Sequence, residues 1–274
     1  MRNALTLKLF LALCAGALAG AFTCALAGAA APALAASPVA AASPVAAAPV
    51  LAVAAAGTLP AAAPSAATAL FCTRPATTLK YERREAATAT LWWTHTESID
   101  AVHANADGSL SLDVTSVIVS DIGKSPLKAP VHSVVKVHAN GTVEVDAAEA
   151  AKQAAENMFS ALDFKSSGGS SLLPADIKPG DTLPEIHAAV TWAIVSLTID
   201  YTARKVLRRE TITVPAGTFD CIVVQESKSE RAPFHRRDRV TLTWYAPGYG
   251  MIRHDTLLTD LTPETSEVLV EIIK

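Results

Sequence analysis

Glu210–Gln225 reads ETITVPAGTFDCIVVQ and Val240–Asp255 reads VTLTWYAPGYGMIRHD. Each stretch sets Pro and Gly between two runs of β-branched and aromatic residues. Pro215 cannot donate to a strand ladder, and Gly217 can take a positive φ, so the first stretch is two strands and a turn. Pro247-Gly248 does the same for the second, with Met251 starting the return strand. In the first, Phe219, Cys221 and Val223 share a face; in the second, Val240, Leu242 and Trp244 do. Neither motif opens a helix, so neither is a phosphate cradle. These glycines turn the chain.

The same grammar extends outward. Strand-rich runs cover Thr191–Tyr201, Lys205–Val214, Phe219–Glu226, Arg239–Tyr245, Gly250–Leu258 and Val268–Ile273. Leu110, Leu112 and Val114 alternate with Ser109, Ser111 and Asp113, the pattern of a half-buried strand. Asn140-Gly141 lies between two β-branched runs and suits a type I′ hairpin. One helix is expected over about 147–162: Asp146 caps it, Glu149 takes the capping-box position, and Ala151, Ala154, Ala155, Met158 and Leu162 share a face. KSSGGSSLLP (Lys165–Pro174) reads as a loop, and in ADIKPGDTLPE (Ala175–Glu185) Pro-Gly-Asp is turn chemistry. Strands joined by short turns predict a mainly β fold, a curved antiparallel sheet or half-open barrel with one helix.

The N-terminus is different in kind. Arg2 and Lys8 precede an apolar run from Leu9 to about Phe22, followed by small-residue triplets at Ala25-Leu26-Ala27 and Ala33-Leu34-Ala35. This is a signal-peptide layout, with cleavage expected after residue 27 or as late as 35. An uncleaved inner-membrane anchor is the competing reading, since Leu9–Ala36 is long enough to span. Residues 28–69 carry no charge, and from Ala36 half are Ala with five prolines among them, so the segment reads as a tether. A single β-rich domain over 70–274 remains. Without Arg2 and Lys8 the chain has 21 basic and 26 acidic residues, a net of about −5, which argues against nucleic acid. The expected compartment is the periplasm. Membrane association is expected only if the signal stays uncleaved. There, Cys72 and Cys221 either form a disulfide or stay as free thiols.

The order LLPADIKPGDTLPE, ETITVPAGTFDCIVVQ, WYAPGYGMIR and SEVLVEII resembles the TapB-like group of exported bacterial proteins. The likeness runs from about Leu79 to Lys274, with the Pro-Ala-Gly-Thr-Phe and Ala-Pro-Gly-x-Gly elements as its specific parts. It implies a curved antiparallel sheet, like the half-open barrels of periplasmic lipoprotein carriers. It brings no catalytic residue.

Motifs for chemistry are sparse. HExxH, GxSxG and CxxC do not occur, and no cofactor, metal site or enzymatic activity is expected. The seven histidines read as surface residues, His132 and His138 sharing a strand face without a third ligand. His254 and Asp255 point to opposite faces of a strand and form no dyad. KSERAPFHRRDR (Lys228–Arg239) reads as a solvated hairpin end around Ala232-Pro233; its functional reading is an anion or headgroup patch of Arg236, Arg237 and Arg239. Of Trp92 and Trp93, one should face the core and one away. Trp92, Trp93, Trp192, Trp244 and Tyr249 are the candidate lining of an apolar groove. The expected function is a non-catalytic envelope binding or carrier domain for an apolar or lipid-like ligand. The alternatives are a structural or protein-interaction module with an envelope protein as partner, and third a hydrolase.

Overall fold

The computed structural model describes residues 68–120, 122, 127–159 and 162–274. The expected signal and all but the end of the expected tether lie outside these residues. In chain order the elements are β1 Thr77–Glu85, β2 Leu91–Ala104, β3 Leu110–Val119, β4 Val131–Val137, β5 Val143–Asp146, α1 Ala147–Met158, β6 Lys165–Gly168, β7 Ser170–Leu173, β8 Ile186–Trp192, β9 Val195–Val214, β10 Gly217–Ala232, β11 His235–Ala246, β12 Gly250–Leu257 and β13 Pro263–Ile273. They form one sheet in the order β6-β8-β9-β10-β11-β12-β13-β1-β2-β3-β4-β5-β7. Every neighbouring pair is antiparallel. The result is mainly β, a nearly closed, barrel-like sheet with one helix, as the turn and alternation patterns predict.

The seam lies in the stretch read as a loop. Lys165–Gly168 pairs with β8, and after Gly169 the same extended segment, Ser170–Leu173, pairs with β5. One short run therefore occupies both edges of the sheet, leaving little edge for other chains to pair with. Ser and Gly gave it no strand signal, because the ladder and not the side chains holds it there.

Helix α1 covers the seam. Asp146 accepts from the Glu149 backbone N–H at 2.8 Å, as the capping box predicts. Its buried residues, Ala147, Ala148, Ala151, Ala154, Ala155 and Met158, are mostly small, which allows close approach to β8 and β6. With Phe164, Ile186, Val190, Leu197 and Ile199 most of them build a second core beside the main one. The helix stops at Met158, short of the expected Leu162, because Phe159 leaves helical geometry at φ −134°, ψ 59°.

Two turns differ from expectation. Gly141 takes φ +82° while Asn140 stays negative, and the Gly141 N–H bonds the His138 carbonyl at 2.8 Å. A type I′ turn needs positive φ at both central residues, so this is a three-residue loop with glycine in the left-handed position. The run expected over Thr191–Tyr201 breaks at Ala193-Ile194 into the end of β8 and the start of β9. Ala193 makes that turn at φ +52°, with no Gly, Pro or Asn to announce it.

Burial alternates along the strands, but its chemistry changes along their length. On β1 the inward side chains run Leu79, Tyr81, Arg83; on β13, read backwards, Leu269, Glu267, Thr265. The same change occurs on β10 (Val224 to Glu226, Lys228, Glu230), β12 (Ile252 to His254, Thr256) and β11 (Tyr245 to Thr243, Thr241). In each strand the polar part lies toward one end of the sheet, where β1, β10 and β12 finish and β11 and β13 begin. One end of the inner surface is apolar and the other is charged.

Candidate functional site

The charged end is built around Arg83 and Glu267, 1% and 0% exposed. Arg83 donates to Glu267 Oε2 at 3.1 Å and to the hydroxyls of Thr256 and Thr265 at 2.7 and 2.6 Å. His95 Nδ1 lies 3.1 Å from Glu267 Oε1, and its ring stacks on Tyr81 at 5.3 Å. Next to this group, Lys228 pairs with Glu230 at 2.8 Å, with its ammonium 5.6 Å from the Tyr201 ring centre. Arg237 and Arg239 converge on Glu264 at 3.0 and 2.8 Å.

Arg83, Tyr201, Lys228, Glu230, Arg237, Arg239, Thr241, His254 and Thr256 line a concavity of about 300 Å³, counting its solvent-open mouth. Its closed part has room for little more than a water molecule, so a ligand would be held by the tip of one small group. Four cations meet three carboxylates here: Arg83, Lys228, Arg237 and Arg239 against Glu230, Glu264 and Glu267. The local field is therefore positive. Burial pushes Lys228 below its usual pKa, and Arg237 and Arg83 push it the same way, while Glu230 draws it back only in part. Burial would raise Glu230, yet Lys228, His235 and Arg237 together hold its carboxyl below the usual range. Burial, then Arg83 and Lys228, press His254 well below its ordinary value, so it is neutral.

Two atoms of the lining that can donate are buried without a hydrogen-bond partner, and so is one acceptor, Glu230 Oε2, 3.7 Å from His235 Nε2. His254 Nδ1 is 2.9 Å from Thr243 Oγ1, but its Nε2 is unbonded, and so is Thr241 Oγ1. Both residues are 1% exposed. If the Thr243 hydroxyl donates to Nδ1, the second ring nitrogen carries its proton into the concavity. Guanidinium, ammonium, imidazole N–H and hydroxyl donors then point at one place. Such a set fits an acceptor such as a carboxylate, phosphate or sulfate oxygen.

Glu97 lies on the same inward face of β2, next in line after His95. Burial raises its pKa from 4.5 to about 7, with His95 lowering it and Glu267 raising it further. A folded chain then binds more protons than an unfolded one between those values. The group's contribution is fully present below pH 4.5 and is lost as pH rises through 7, a loss of up to about 3 kcal/mol. Glu97→Gln should flatten that dependence and stabilise the protein at pH 8. Thermal melts of both forms from pH 5 to 8 measure it, and parallel curves would contradict the assignment.

The residues singled out in the sequence take varied places. Trp92 and Trp93 are both buried, 6.0 Å apart, with Ile118, Leu127 and Ala154. Their expected opposition fails because the β1–β2 register steps from Arg83↔Trp93 to Arg84↔Leu91, leaving Trp92 as the extra residue of a bulge. Trp192 packs against the helix core. Trp244 lies in the main core, bonding Glu210 through its indole N–H, with Arg253 5.0 Å from its ring. Tyr249 meets Phe219 edge-on at 5.1 Å under Arg74. The five aromatics thus fall in three clusters.

Cys72 and Cys221 are free thiols buried in the main core, not a disulfide. Both pack as small apolar residues, and burial pushes the Cys221 thiol up to about 12, so it is unreactive. Histidines also divide. His103 and His187 are exposed, but His95 and His254 are interior, contrary to a surface reading. His138 bonds Glu144 and His132 bonds Thr115, and among the described residues no three His, Cys, Asp or Glu cluster as for a metal. Asp255 faces away from His254, toward Arg253 and Ser266, as strand alternation requires.

The largest correction concerns Lys228–Arg239. It is no solvated hairpin end, since Lys228 and Glu230 are buried and Arg237 and Arg239 line the concavity, while Arg236 is 72% exposed and bonds Asp238. A signal was present: Glu226, Lys228 and Glu230 continue the every-second-residue face of Ile222 and Val224. Sequence reading treated charge as exposure and stopped counting the period.

Residues 92–257, more than half of the sequence, match the DUF3108-like family, and the chain belongs to that family. The match spans β2 to β12 and includes every lining residue of the concavity but Arg83. Two crystal structures share the fold. One, from Bacteroides fragilis NCTC 9343, is a protein described as exported and of YmcC-like fold; it is 16% identical with a TM-score of 0.59, over 74% of this chain and 98% of that one. The other, from Parabacteroides distasonis ATCC 8503, is described as a lipoprotein; it is 18% identical with a TM-score of 0.58, over the same shares. No curated protein matches the sequence. These comparisons show the family and the fold.

Proposed function

We propose that this chain is an exported, non-catalytic binding protein of the cell envelope, TapB-like in kind, whose barrel grips an acidic group at its charged end. The observation that carries the reading is the convergence of donors on one concavity, with His254 Nε2 and Thr241 Oγ1 buried and unpartnered there. Export is supported by the N-terminal layout and by the descriptions of the two fold relatives. The lipid-like ligand expected from sequence is kept but inverted: the protein holds the anionic head, and the aromatics do not supply a groove for the tail. Interaction through a sheet edge has less support, because the seam uses both edges.

Calorimetric titration with dihexanoylphosphatidylglycerol, its phosphatidylcholine counterpart and inorganic phosphate tests the proposal. The anionic lipid should bind at least about tenfold more tightly than the zwitterionic one, and phosphate should compete if the head group alone is read. Lys228→Met should weaken binding by about ten- to a hundredfold, the worth of one charge-assisted hydrogen bond. Equal affinity for both lipids, or no loss in a folded Lys228→Met variant, would sink the reading.

A further inference from the structure

Seven large hydrophobic side chains are exposed among the described residues, and five of them, Val119, Ile122, Ile194, Phe234 and Leu261, gather at one end of the sheet. It is the charged end: β3, β8, β10 and β12 finish there, and Ile194, Phe234 and Leu261 sit in the three hairpin turns that follow β8, β10 and β12. Ile194 and Phe234 are 97% and 94% exposed. Isolated exposed apolar residues are ordinary, but a ring of them on successive turns is not.

Turn chemistry makes the contrast sharper. At the opposite end the turns place Gly108, Gly141, Gly217, Gly248 and Gly250 at positive φ, as unstrained turns do. At the charged end the positive-φ positions of the described turns hold Ala89, Ala193, Phe234 and Leu261. A bulky side chain in the left-handed region is strained, and a hydrophobic one held in water there loses twice. Asn or Gly would serve the fold better at Phe234 and Leu261. At this end two such positions carry large apolar side chains, whereas the non-glycine turn residue at positive φ at the other end is the small Ala76.

We propose that this end docks on the surface of an anionic lipid bilayer, with Ile194, Phe234 and Leu261 entering the boundary between head groups and acyl chains. The docking stands on the tips themselves; only the placing of a head group in the concavity rests on the function proposed above. A bilayer suits these side chains because they project singly from separate turns, with no shared flat or groove for a folded partner. Charge complements it. The β10–β11 hairpin from Lys228 to Arg239 carries five cations against Glu230 and Asp238, with Glu264 the third carboxylate in contact. Of those cations Lys228, Arg237 and Arg239 line the concavity, so docking would bring head groups to it.

Two experiments on the full chain test this. In the first, Phe234→Trp is mixed with phosphatidylcholine/phosphatidylglycerol vesicles carrying brominated acyl chains. Its added fluorescence should shift to the blue and be quenched beyond the change in the unsubstituted protein; no added quenching overturns insertion, whatever the N-terminus does. In the second, Ile194→Ser, Phe234→Asn and Leu261→Asn are combined. Vesicle partitioning should fall about tenfold or more while the melting temperature holds or rises, since Asn suits positive φ. Retained partitioning overturns the proposal, and so does a dimer of the parent chain that the triple variant dissolves. If the triple variant still binds soluble dihexanoylphosphatidylglycerol, docking and head-group binding are separate properties. If Lys228→Met keeps both docking and full affinity for soluble dihexanoylphosphatidylglycerol, the concavity reading fails alone.

Discussion

Glu267→Ala should cost about 3–5 kcal/mol, more than any other single change at the charged end. Glu267 is fully buried and faces two basic side chains at once, Arg83 at 3.1 Å and His95 at 3.1 Å. Without it a guanidinium 1% exposed is left against the hydroxyls of Thr256 and Thr265 and the face of Trp93. Neutral hydroxyls and an aromatic face do not replace a carboxylate's compensation for lost hydration. The residues involved belong to β1, β2, β12 and β13, so the loss is felt across four adjacent strands. Urea unfolding should show a lower midpoint with an unchanged slope. Glu267→Gln should fall between, because its amide oxygen still accepts from Arg83. Arg83→Met with Glu267→Leu should recover most of the loss, since no unpaired charge is then buried. A cost below 1 kcal/mol for Glu267→Ala would mean that water reaches the cluster.

The mainly β fold was legible because its turn residues are explicit at one end of the sheet. Pro215 with Gly217, Pro247 with Gly248, and Asn140 with Gly141 each mark a reversal whose chemistry is local. At the other end the reversal at Ala193-Ile194 carries no such mark and its strands were read as one run; Pro233 does mark the reversal at Phe234, but the strand ends beside it were read as solvated. The site was missed for a related reason. A charged residue in a strand pattern is ordinarily a solvent-facing one, and nothing local says that Lys228 and Glu230 will meet Arg83 from the far side of the chain. That meeting depends on β13 lying between β12 and β1, a pairing of the two chain ends that no neighbouring residues encode. The aromatics read as a groove lining take other places: Trp92 is the extra residue of a bulge, and Trp244 and Tyr249 belong to the main core.

Gly168→Ala should be the most damaging change at the seam, with a loss of about 3 kcal/mol or more. Gly168 takes φ +144°, which an L side chain rarely adopts. A Cβ there would lie 2.8 Å from Ala188 Cα and closer still to the His187 carbonyl oxygen. Both obstacles are backbone, and β8 cannot retreat, because its other side is held by β9 through His187↔Asp200 and Ala188↔Ile199. The new methyl must therefore break the Gly168↔Ala188 pairing, the last rung joining β6 to β8. Helix α1 lies over that rung, and its Ala-rich face meets β8 and β6, so it should loosen with them. The neighbouring glycine supplies the control: a Cβ on Gly169 meets nothing within 4 Å, so Gly169→Ala should stay within about 0.5 kcal/mol of the parent. Hydrogen exchange should separate the two further. In Gly168→Ala, protection should fall first in Lys165–Leu173 and α1 while β10 to β13 keep theirs, as expected if the barrel opens along one line. Equal tolerance of the two substitutions would mean that the two edges of the sheet are not joined through this segment.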